Sequence, residues 1–174
     1  MNIRKLLSII SISFVFAQLS IFADDLSENY SKASVSIKYF NKSIYYPGDA
    51  EVNPIMVHIT IKNNGTDTLR FKLADERAFS LDFNAYTVRN DSLEQTANLI
   101  EKRTTNQTVY FREIALEQGE EYSFIENVKD YLKIEESSVY YLELFFYPEL
   151  YKSKYLTLKS NRLTLEIKTS TSAA

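Results

Sequence analysis

The chain has 174 residues, with 20 basic and 23 acidic side chains for a net charge of −3, and no cysteine or tryptophan. That excludes a disulfide framework, a thiolate metal site and a cysteine nucleophile. A mildly acidic balance with no basic stripe also argues against a nucleic-acid partner.

Arg4 and Lys5 precede a largely apolar run from Leu6 to Phe22, then Ala23 and Asp24-Asp25. This is the order of a secretory signal peptide, expected over residues 1–23 as a helix. An uncleaved membrane anchor is the alternative, since the run approaches spanning length. Cleavage after Ala23 leaves 151 of the 174 residues, and losing Arg4 and Lys5 leaves 18 basic against 23 acidic, a net of −5. That is one domain with a sizeable core. The expected location is the periplasm or beyond it, in the bacterial envelope. Asn29, Asn41, Asn64, Asn90 and Asn106 each open an Asn-x-Ser/Thr triplet, which a chain rich in these residues produces by chance.

Residues 24–32 read as a flexible leader. Val35, Ile37 and Tyr39 alternate with polar neighbours as a first strand. Tyr45-Tyr46-Pro47-Gly48-Asp49 is a turn. Ile55, Val57, Ile59 and Ile61 give the cleanest alternation, with His58 on the opposite face. Asn63-Asn64-Gly65 then leads to a strand carrying Leu69, Phe71 and Leu73, by a hairpin or a sheet-crossing corner. A further strand runs from Phe79 to about Val88. Leu93 to Thr105, with Leu93, Ala97 and Ile100 four and three apart, is one short helix or an ordered loop.

Val109 to Leu116 is strand-like, its alternation blurred by Tyr110 and Phe111. Tyr122 and Phe124 begin the next strand, and Val128 to Ile134 has room for a helical turn. Ser138 to Pro148 is the central strand: Tyr140, Leu142, Leu144 and Phe146 share one face, and Val139, Tyr141, Glu143, Phe145 and Tyr147 the other. Glu149 to Ser160 is a polar loop or irregular strand, and Leu163, Leu165 and Ile167 close the sheet. Residues 169–174 read as a disordered tail. Seven to nine short strands over residues 33–168 describe an all-β fold, a single β-sandwich.

Three segments carry a resemblance: Tyr46-Pro47-Gly48-Asp49 with Ile59 to Gly65, Leu116 to Phe124, and Val139-Tyr140-Tyr141-Leu142 with Ser160 to Leu163. They resemble exported bacterial domains with an immunoglobulin-like β-sandwich, whose functions are uncharacterised. That likeness implies a fold and an address, not an activity. Tyr140, two residues before inward-facing Leu142, resembles the tyrosine corner of such sandwiches, with an ordinary core aromatic as the plain alternative. Arg70 to Asp75 with Phe79 to Phe83 is similar to the bacterial intracellular proteinase-inhibitor sandwich family. A signal peptide departs from that family's location.

No catalytic set assembles. His58 is the lone histidine, without a nucleophile motif near it or a second nitrogen ligand for zinc. Asp75-Glu76, Glu120-Glu121 and Glu135-Glu136 are adjacent pairs, which point to opposite faces of a strand and form no acid/base couple. Neither a metal nor another cofactor is expected. The residues with a binding signature are aromatic: Tyr147, Tyr151 and Tyr155 around Pro148, and Tyr45 and Tyr46 beside Pro47. Loops at the ends of a sandwich carry binding, and tyrosine offers area with a polar tip. The plain alternative is that these rings cap the core. The expected function is a non-enzymatic binding or structural module, acting by loop or edge-strand contacts on another envelope protein. A β-sandwich proteinase inhibitor or regulator is the alternative. Membrane contact is expected only through an uncleaved signal segment.

Overall fold

The computed structural model describes residues 30–41, 44–153 and 156–169. The expected signal segment, most of the leader and the tail after residue 169 lie outside these residues. A compact unit begins at Ala33 and holds all the strands.

Among the described residues there are nine strands and one α-helix: β1 (Ala33–Tyr39), β2 (Met56–Asn63), β3 (Leu69–Ala74), β4 (Leu81–Thr87), α1 (Ala97–Thr104), β5 (Phe111–Leu116), β6 (Glu121–Asn127), β7 (Val139–Phe146), β8 (Leu158–Lys159) and β9 (Leu163–Glu166). The fold is mostly β, consistent with a β-sandwich. Antiparallel pairing gives one sheet in the order β1-β2-β6 and a two-stranded sheet β3-β5. In the third sheet β4 pairs β7, and both β8 and β9 pair the other side of β7.

The alternation in the sequence decides which faces meet. On β7 the Tyr140, Leu142, Leu144 and Phe146 side chains are buried, while Tyr141 and Phe145 on the opposite face are half-exposed. On β2 Val57, Ile59 and Ile61 are buried. Phe71 of β3 lies 5.3 Å from Phe146 of β7 and 6.4 Å from Tyr122 of β6, both edge-on. One ring of β3 therefore touches a ring from each of the other sheets.

The passage from β2 to β3 is a corner, not a hairpin. β2 pairs β6 and β3 pairs β5, so two strand paths cross together from one sheet to the next. Buried Asn63 holds the bend. Its amide donates to the Asp67 carbonyl at 2.8 Å and the Leu116 carbonyl at 2.9 Å, and its side-chain oxygen accepts from Gly65 N–H at 2.9 Å. On the opposing path Gly119 takes φ +79°, where a side chain would be strained.

The edge of β1 away from β2 is sealed in its middle. Asn161 lies in the gap between β8 and β9. Its side chain accepts from Ile37 N–H at 2.8 Å and donates to the Ile37 carbonyl at 3.0 Å. A side-chain amide thus replaces one peptide of a neighbouring strand. Tyr39 adds a bond from its hydroxyl to the Thr164 carbonyl at 2.7 Å.

Two segments differ from the expected pattern. Arg77–Phe79 is a 3-10 turn, and β4 starts only at Leu81. Ala78 and Phe79 are both buried, which consecutive strand residues on one sheet face cannot achieve. The stretch expected as a short helix or loop is the helix α1, capped by Thr96, whose hydroxyl accepts from Leu99 N–H at 3.2 Å. It buries Leu99 and leaves Ile100 exposed. No helix among the described residues is long and apolar enough to cross a membrane.

Candidate functional site

The candidate tyrosines separate by burial. Tyr45 is buried, its ring 5.3 Å from that of Tyr39 and tilted 42° to it, and its carbonyl accepts from Lys168 N–H. Tyr147 is buried as well. Tyr46 and Tyr151 are half-exposed, and Tyr155 lies outside the described residues. Tyr46 also lends its carbonyl to the turn at Pro47: buried Lys129 donates to it at 2.7 Å and to the Gly48 carbonyl at 2.9 Å. Tyr140 is a core residue whose hydroxyl donates back to the Glu136 carbonyl at 3.2 Å, and Leu142 is fully buried. Tyr147 and Tyr151 do come together, their rings 5.6 Å apart and edge-on.

That ring pair belongs to a polar cluster that the sequence did not disclose. Arg103 projects from α1 with its guanidinium 4.1 Å above the Tyr151 ring. It donates to the carbonyls of Ala78 at 3.0 Å and Leu81 at 2.7 Å, and to Asp82 at 3.3 Å. Asp82 also accepts from Gln95 at 3.1 Å. Burial, with Asp82 alongside, pushes the Tyr147 hydroxyl up to about 12, so it stays a neutral donor. Beside the cluster is an open groove of about 520 Å³ lined by Asp82, Asn84, Gln95, Phe145 and Tyr147, among others. Asp82 and Arg103 answer each other, so the pair fixes α1 onto β4.

A second polar pocket holds Glu126 of β6. Its carboxylate accepts from the Tyr131 hydroxyl at 3.1 Å and lies 3.8 Å from Arg77. Burial pushes the Glu126 carboxyl from its ordinary 4.5 up to about 7, helped by Asp130 and Glu76 and opposed by Tyr131 and Arg77. A carboxyl whose pKa is raised on folding binds its proton better in the folded state. Its contribution is therefore full in acid and is lost as the pH rises from about 4.5 through 7. Glu126→Gln should hold stability flatter over that window, a relative gain of roughly 2–3 kcal/mol at pH 8. Urea midpoints at pH 5 and pH 8 for both proteins check this, and parallel pH curves would refute it.

His58 is half-exposed, its ring nitrogen 3.4 Å from the Thr60 hydroxyl. Among the described residues no three His, Asp or Glu side chains group to hold a metal ion.

The clearest opening in the fold is a strand edge. β5 pairs β3 alone among the described residues. Asp75 N–H bonds the Tyr110 carbonyl, so the register assigns ladder bonds to Arg112, Ile114 and Leu116. Phe111, Glu113 and Ala115 then turn their peptide groups outward. In the same way Glu121, Ser123 and Ile125 face outward from β6. Tyr110 is 71% exposed and Phe111 48%. Their blurred alternation in the sequence was the one available sign of this edge.

Residues 34–168 match the family model described as Flagellar collar protein C, N-terminal domain. The chain belongs to this family. The collar-domain match takes in β2 to β9, α1 and every candidate tyrosine. No curated protein matches the chain. Among solved structures it is similar to a Bacteroides uniformis β-glucuronidase, at 13% identity and TM-score 0.39, over 77% of this chain and 13% of that one. It is also similar to the ASH/PapD-like domain of human CEP192, at 13% identity and TM-score 0.32, over 80% of this chain and 85% of that one. The chain therefore spans a small part of the glucuronidase, and likenesses this distant carry no argument about its activity.

Proposed function

We propose that this chain is a non-enzymatic structural module of a flagellar collar at the bacterial cell envelope, built as an immunoglobulin-like sandwich and exported by its N-terminal segment. It works by holding other proteins of the flagellar apparatus. The family match over residues 34–168 carries this reading. The deployment of polar groups supports it. Arg103 and Asp82 are spent on joining α1 to β4, Lys129 on the Pro47 turn and Asn63 on the corner. The open edge of β5 is the main contact surface, and Tyr46 and Tyr151 add area at the loops. Nothing favours a proteinase inhibitor.

Isolation of flagellar basal bodies from cells making an epitope-tagged chain tests the proposal. The tag should stay with the basal bodies at a constant ratio to motor proteins through detergent washing. A tag recovered wholly in the soluble fraction would sink the collar assignment.

A further inference from the structure

The outward groups of Phe111, Glu113 and Ala115 form a short template for another strand. Natural edges are guarded by lysine and other charged side chains, proline or a bulge; β5 has no lysine, proline or bulge, and its guard is a pair of charges. Its charged side chains are Arg112 and Glu113. Each makes only an exposed ion pair, with Asp75 at 3.4 Å and Arg70 at 3.1 Å. Such pairs are held weakly and give way readily to a better-placed partner.

Alternation fixes what a new strand would meet. Arg112, Ile114 and Leu116 lie on the core side of β5, with Leu116 buried and Ile114 half-buried. Phe111, Glu113 and Ala115 lie on the outer side, and all three are exposed. An added strand continues both faces. Its core-side residues cover Ile114 and the stem of Arg112, and its outer side meets Glu113 flanked by Phe111.

A second copy of this chain suits the edge poorly. Two copies joined about a two-fold axis pair antiparallel, and the register that overlaps all of Tyr110–Leu116 sets Glu113 directly against Glu113. Slipping the register by two residues, the smallest step that keeps the outward peptide groups facing each other, sets Arg112 against Arg112 in one direction and leaves Phe111 without a strand partner in the other. Like charges directly opposite destabilise a pair of strands.

Resting on the reading of this chain as a protein-binding module, we propose that the β5 edge takes up an extended segment of a different protein, apolar on its core side and basic opposite Glu113. The added strand forms backbone bonds with Phe111, Glu113 and Ala115 and a cross-strand ion pair with Glu113.

The test is amide exchange in the full chain by NMR, with a synthetic Thr-Val-Lys-Val-Thr peptide as the probe. Saturating peptide should slow exchange at Phe111, Glu113 and Ala115. Replacing the peptide lysine with glutamate should weaken binding roughly three- to tenfold, the range of one cross-strand charge reversal. Glu113→Lys in the protein should reverse that preference. No protection at these amides, equal binding of both peptides, or sedimentation as a dimer that Glu113→Lys abolishes would each overturn the proposal. If the peptide fails while the tagged chain still travels with basal bodies, this edge is wrong and the collar reading stands.

Discussion

Arg103→Ala is expected to destabilise the fold by about 2–4 kcal/mol, because it takes the cation from a half-buried carboxylate, which keeps only Gln95 and Tyr147 as donors, and the donors from two backbone carbonyls together. The Arg103 side chain is only 4% exposed and Asp82 16%. The substitution removes donors from the carbonyls of Ala78 and Leu81 and from Asp82 in one step. It also removes the cation from the Tyr151 ring. The companion Arg103→Met with Asp82→Asn separates the causes. It restores volume and removes the unpaired charge, so it should recover a good part of the loss. Urea unfolding midpoints measure both. A loss under about 1 kcal/mol for Arg103→Ala would mean that water replaces the guanidinium freely and that α1 is not fixed through it.

Phe71→Ala is the second large effect, about 3–5 kcal/mol, through the cavity it leaves. Phe71 is buried, and its ring meets Phe146 at an interplanar angle of 89° and Tyr122 at 70°. Truncation removes a contact from three sheets at once. Phe71→Leu keeps most of the volume and should cost far less. Tyr122 is half-exposed, so Tyr122→Ala should also cost less than Phe71→Ala. If Tyr122→Ala proves the more damaging of the two, the ring at the junction of the sheets is not the one that holds them.

Much of this fold was legible because burial follows alternation. β2 and β7 were readable residue by residue, since each has one wholly apolar face. Residues 77–79 were not, because Ala78-Phe79 is apolar in any conformation. Only the Phe79 N–H bond to Glu76 and the Ser80 N–H bond to Arg77 distinguish a turn there from a strand. The sequence at Asn63 admits a hairpin or a corner, and strand pairing decides for the corner. The aromatic candidates were harder. Tyr45 and Tyr147 beside prolines read as binding rings or as caps of the core, because sequence does not say which side of a turn packs against a neighbour. Arg103 reads only as part of a small basic spot with Lys102 and Arg112, with no sign of its bridging role. Its partners are 21 to 25 positions away and two of them are backbone carbonyls, which carry no sequence signature.

Asn161 has a consequence for where copies can join. Edge-to-edge polymers grow only when each unit offers two mating edges, one to give and one to receive. Here the middle of the β1 edge is already occupied by a side-chain amide of the same chain. Among the described residues the outward peptide groups lie instead on β5 and β6, so strand addition favours those edges over β1. Row growth through the β1 edge is closed to the chain by a bond that it makes with itself.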